Sequence, residues 1–96
     1  MNKYVVTLMD KNPEAFSEEL VATHVEHLRN LSKSGTLFIC GPLKGTDGAM
    51  QILSADSIEE ATEFAKADPF LSENFYSDFT IYELIEANEE NNFLLK

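Results

Sequence analysis

Three scarcities bound this chain before any pattern is read. It has one cysteine, Cys40, so no internal disulfide can form, and a lone thiol fits a reducing compartment. It has seven lysines and arginines against seventeen aspartates and glutamates. The resulting charge of −10 repels nucleic-acid phosphates and anionic lipid headgroups, and no basic patch overrides it. Long apolar runs are also missing: none approaches the ~20 residues that a membrane span needs. The opening residues, MNKYVVTLMDKN, meet charge at Asp10 before a secretory signal can form. A cytoplasmic protein is expected, with neither nucleic acid nor membrane as a partner.

What is present reads as one globular domain. Apolar residues make up 44% of the 96, enough for a single core, and no repeat or linker divides them. The domain is expected over residues 1–86, with an acidic tail over 87–96 that docks only if Phe93, Leu94 and Leu95 find a groove.

Residues 4–9 (YVVTLM) are β-branched and aromatic and predict a strand. A helix then starts between Pro13 and Glu18, capped by Asn12 or Ser17, and runs to about Ser34, where Gly35 supplies a left-handed stop. Residues 36–40 predict a second strand, the turn-rich 41–48 (GPLKGTDG) a loop, and 49–54 a third strand. Ser57 and Glu60 form a capping box for a second helix, which Pro69 ends near Ala67. Residues 69–75 predict a short extra turn, and 78–86 the last strand.

That order predicts an α+β, ferredoxin-like βαββαβ fold: a four-stranded antiparallel sheet with two helices on one face. The strands carry apolar residues at both odd and even positions, as in Val5 beside Val6 and Phe38 beside Ile39. A strand with one wet face alternates instead, so the uncovered face needs a second copy of the chain. A homodimer through the sheet face is expected.

Few side chains here carry chemistry. Leu20, Val21, His24, Leu28 and Leu31 fall on one stripe of the first helix, with His24 near its middle and His27 at its edge. An imidazole on that stripe needs a partner, because an unpaired buried polar group costs roughly 2–7 kcal/mol. Asp68 closes the second helix, where its charge meets the negative end of the helix dipole. It either caps a turn beginning at Pro69 or accepts a hydrogen bond from His24; that second arrangement fixes the imidazole tautomer and leaves one nitrogen free for a substrate proton. His24 is otherwise a satisfied core residue. The loop 41–48 offers backbone approach at Gly41 and a cation at Lys44, but matches neither a P-loop nor a dinucleotide fingerprint. Cys40 sits in an apolar strand, which predicts a buried thiol rather than a nucleophile. Metal binding is not expected, since His24 and His27 stand without cysteine or dense carboxylate spacing.

The spacing of His24, Gly35, Gly41-Pro42 and Asp68-Pro69-Phe70 resembles that of the YciI-like (YCII-related) family, from Tyr4 to about Leu84. The resemblance implies a dimeric α/β-barrel fold and an active site built on a His-Asp pair, here His24 and Asp68. It adds Gly41, Pro42, Lys44 and Phe70 as candidate substrate-binding residues. A dehydrochlorinase of chlorinated hydroxyhydroquinone resembles this family, and muconolactone isomerases share the wider fold. Many relatives carry an arginine three residues before the histidine, where this chain has Val21. The resulting expectation is a small enzyme that transfers protons on an aromatic or lactone-like molecule through His24 and Asp68, without a cofactor. It would be a lyase, an isomerase or dehydrochlorinase-like. The alternatives are a non-catalytic binding or interaction module in which the pair is structural, and a haem- or oxygen-dependent monooxygenase.

Overall fold

The computed structural model describes residues 1–95; Lys96, the end of the expected tail, lies outside the described residues. Four strands, β1 (Asn2–Lys11), β2 (Leu37–Pro42), β3 (Ala49–Ala55) and β4 (Tyr76–Leu84), form one antiparallel sheet in the order β2-β3-β1-β4. Helices α1 (Glu18–Lys33), α2 (Ile58–Lys66) and the single turn α3 (Pro69–Ser72) complete the expected α+β, ferredoxin-like arrangement.

Local chemistry sets the helix ends. Both candidate caps at the first helix are used: Asn12 caps a 3-10 turn over Pro13–Ala15, and Ser17 then caps α1 by accepting from the Leu20 N–H at 3.0 Å. At its other end the Gly35 N–H reaches Ser32 O and the Thr36 N–H reaches Leu31 O at 2.8 Å. Gly35 takes φ +79, so this is the paired closure that a left-handed residue permits. Thr36 is thereby spent on the helix, and β2 begins one residue later than expected. In α2 the Glu60 N–H is capped by Ser57, while the Glu60 carboxylate passes over Ser57 and accepts from the Asp56 N–H at 3.0 Å.

The last strand starts two residues earlier than residues 78–86 predicted. Asn74 turns the chain with φ 60, and the Asn12 N–H bonds Phe75 O at 2.7 Å, so β4 enters the ladder at Tyr76 opposite Lys11. It stops at Leu84 opposite Lys3, where β1 is nearly exhausted. In the tail, Phe93, Leu94 and Leu95 remain exposed.

Alternate residues of the central strands pack under the helices. Tyr4, Val6 and Leu8 of β1, with Leu53 and Ala55 of β3, are buried against Leu20 and Leu31 of α1 and Ala61 and Ala65 of α2. The opposite face carries a row across all four strands: Ile39, Ile52, Val5 and Tyr82 stand in register. Ile39 and Tyr82 are 52% and 69% exposed, so that face is apolar and uncovered in the single chain. No helix among the described residues is long and apolar enough to cross a membrane.

Cys40 departs from the expected buried position: it is exposed. It lies on β2, which is an edge strand, so no neighbouring strand flanks it on one side.

Candidate functional site

The stripe on α1 sinks Leu20 and Leu31 into the core and leaves His24 between them with 14% of its side chain exposed. Asp68 occupies the junction of α2 and α3 and is wholly buried. The two alternatives for this carboxylate hold at once. Asp68 Oδ1 caps α3 by accepting from the Phe70 N–H at 2.9 Å and also lies 2.7 Å from His24 Nδ1. Its Oδ2 accepts from Gln51 Nε2 on β3 at 2.8 Å. Burial alone would push this carboxyl up, but the hydrogen bond from His24, the Phe70 N–H, the His24 charge and the Gln51 amide outweigh it and hold Asp68 below its ordinary range.

An ionised carboxylate can only accept, so His24 Nδ1 carries the proton that fills this contact. Whenever the ring is neutral, Nε2 is then its unprotonated nitrogen, and among the described residues no hydrogen bond engages it. Phe70 fixes the remaining freedom: its ring lies flat on the imidazole, with centroids 3.5 Å apart and planes 7° apart. One partner thus sets the ring's direction and the other its plane.

His24 opens onto a cavity of about 340 Å³ between α1 and the sheet. Leu8, Leu28, Met50, Phe75 and Tyr76 give it mainly apolar walls, and Gly41, Pro42 and Phe70 line it as well. A larger depression of about 530 Å³ lies over Ser17, Thr23 and Pro69, but its titratable groups are two carboxylates, Glu19 and Glu73, and no histidine lines it. The histidine therefore borders the smaller one.

The structure brings His24, Gly41, Pro42 and Phe70 to one cavity, with Asp68 directly behind the imidazole. It does not bring Lys44 there; that side chain sits in the exposed turn after β2. The lysine that lines the cavity is Lys11, at the end of β1, with Nζ 5.6 and 5.7 Å from the Phe75 and Tyr76 ring centroids. Cys40 also lines it, with its thiol pushed up by partial burial and then by the Asp68 charge. Burial, followed by the Asp47 and Asp68 carboxylates, raises the Tyr76 phenol. Both groups therefore stay protonated at neutral pH, which disfavours a thiolate nucleophile. Among the described residues no three His, Cys, Asp or Glu side chains converge to hold a metal ion.

Sequence reasoning missed Lys11, Gln51 and Tyr76. For Gln51 a signal was present: it is the one polar residue in the inward series Ala49, Gln51, Leu53 and Ala55 of β3.

The chain resembles known proteins over most of its length. Residues 3–85 match the YCII-related domain. The uncharacterised protein YjpA of Bacillus subtilis (strain 168) is 35% identical over 80 residues, covering 83% of this chain and 93% of that protein. Among solved structures, 5-chloro-2-hydroxyhydroquinone dehydrochlorinase (TftG) of Burkholderia phenoliruptrix AC1100, in complex with 2,5-dihydroxybenzoquinone, superposes with a TM-score of 0.73. That match covers 94% of this chain and 99% of TftG at 18% identity, a likeness of fold.

Proposed function

The chain belongs to the YCII-related domain family, and on that premise we propose that it is a small enzyme transferring protons on a small aromatic or lactone-like molecule. One observation carries the reading: an imidazole tied through Nδ1 to a buried carboxylate at 2.7 Å, with Nε2 unspent beside a cavity. His24 Nε2 takes a proton from a hydroxyl of the bound molecule and returns it to a ring carbon, while Asp68 holds the tautomer and balances the imidazolium. Where that carbon bears chlorine, chloride then leaves with the C–Cl electron pair as a second hydroxyl proton is released, a net loss of HCl that gives the quinone. A volume of about 340 Å³ suits one ring with small substituents. The planar ligand of TftG supports a guest of that shape. No cofactor enters this scheme.

The same reading includes a second copy of the chain over the uncovered sheet face, because Ile39, Ile52, Val5 and Tyr82 form an apolar row in water. Such a dimer leaves the helix-side cavity open.

The test is chloride release from 5-chloro-2-hydroxyhydroquinone, with binding of 2,5-dihydroxybenzoquinone followed in parallel. Turnover by the wild type that falls about 10²–10⁴-fold in His24→Ala, with ring binding retained within severalfold, is the expected result. Ring binding without turnover would instead favour a non-catalytic binding module. One observation speaks for that second reading: Asp68 ties α1, β3 and α3 together, a structural role in its own right.

A further inference from the structure

Gln51 is 2% exposed, and only half of its amide is used. Its Nε2 donates to Asp68 Oδ2, while its Oε1 is buried without a partner. The amide cannot turn round to relieve this. Reversing it would set Oε1 against an ionised carboxylate, two acceptors facing each other with no proton between them. Asp68 therefore fixes which end of Gln51 is left over, and that end is an acceptor.

The strand does not need this residue for packing. Its inward neighbours Leu53 and Ala55 are apolar and buried, and a leucine or methionine at position 51 would continue that series. Gln51 lines the same cavity as His24, and the donors on the cavity wall, Lys11, Tyr76 and Cys40, leave Oε1 unmatched. A buried acceptor that no protein group satisfies calls for a donor from outside the chain.

We propose that Gln51 is a ligand-binding residue whose Oε1 accepts a hydrogen bond from a hydroxyl on the guest, so that the cavity selects hydroxylated rings over their ethers. The inference rests on the proton-transfer reading of the His24 cavity and narrows its substrate class. The guest presents one hydroxyl to Gln51 and its exchangeable proton to His24 Nε2. A single carboxylate thereby orients both the group that moves the proton and the group that recognises the ring.

The experiment is an NMR titration of the full chain with hydroquinone and, separately, with 1,4-dimethoxybenzene, which keeps the ring and lacks both donors. Hydroquinone is expected to shift the Gln51 side-chain carbonyl carbon, and dimethoxybenzene to leave it in place. Hydroquinone should also bind about fivefold or more tightly, and that ratio should fall at least threefold in Gln51→Met. If hydroquinone moves His24 and Phe70 at saturation while the Gln51 carbonyl stays still, or if the ratio is unchanged in Gln51→Met, the assignment is overturned and the proton-transfer reading survives. If millimolar hydroquinone moves neither His24 nor Phe70, both are overturned. The carbonyl measurement on the wild type decides the matter even if the variant does not fold.

Discussion

The imidazole of His24 lies on the ring of Phe70 at 3.5 Å between centroids, with the two planes almost parallel at 7°. Phe70 in turn meets Phe75 at 4.8 Å and Tyr76 at 5.9 Å, so the stack continues into the core. The plane of the histidine is therefore set by packing that reaches the last strand.

Replacing Phe70 with leucine keeps an apolar side chain and the backbone N–H that Asp68 accepts, but removes the stack. A loss of about 1 kcal/mol is expected from the missing aromatic pairs, measured by urea unfolding. The His24 ring signals should broaden as its plane becomes free. Unchanged stability together with unchanged His24 signals would show that the stack does not hold the ring.

Asp68→Asn isolates the charge while keeping an acceptor for the Phe70 N–H. The folded chain holds the Asp68 carboxyl below its ordinary value, which is about 3.9 in an unfolded chain. Between those two values the unfolded state binds more protons, so stability there rises with pH. This contribution is fully present above the unfolded value and is lost as pH falls through the folded one. The stability gap between wild type and Asp68→Asn should thus be widest above about pH 5 and close progressively below about pH 4. A gap that stays constant on acidification would mean that the carboxylate charge does not matter to folding. Asp68→Ala, which strands three donors at once, should cost about 3–5 kcal/mol.

Ile52 stands at the centre of the uncovered face, paired with Ile39 on one side and Val5 on the other. Glutamate there puts a charge into the proposed sheet-to-sheet contact and leaves the helix side untouched. Light scattering should give twice the 10.8 kDa chain mass for the wild type and the single mass for Ile52→Glu at micromolar concentration. A monomeric wild type would remove the dimer.

Two glycines, Gly41 within β2 and Gly48 just before β3, should behave differently. A Cβ on Gly48 would lie 2.8 Å from the Leu8 carbonyl oxygen, in the backbone of the central strand. A Cβ on Gly41 would meet nothing within 4 Å. Gly48→Ala should cost about 1–3 kcal/mol, as overpacked sites do, and Gly41→Ala should be nearly neutral in thermal unfolding. Equal melting temperatures for the two variants would contradict this contrast.

The sequence by itself determined the events that take place within a few residues. Gly35 closes α1, Ser57 and Glu60 open α2, and Asp68 caps the turn at Pro69, because each depends on backbone geometry and a hydrogen bond spanning about one helical turn. It also placed His24 on an inward stripe and both apolar faces on the sheet, since periodicity alone fixes those. Only the tertiary structure decided that the two alternatives for Asp68 hold together and that Gln51 joins them. His24 meets Asp68 across 44 residues of chain and Gln51 meets it across 17, and both contacts depend on where α1 and β3 come to lie around one buried carboxylate. The same packing left Cys40 exposed on an edge strand and put Lys11, rather than Lys44, on the cavity wall. Strand pairing and helix placement bring distant residues together: the family-like spacing marked His24, Gly41, Pro42, Asp68 and Phe70, whereas Lys11, Gln51 and Tyr76 reach the same cavity through the fold alone.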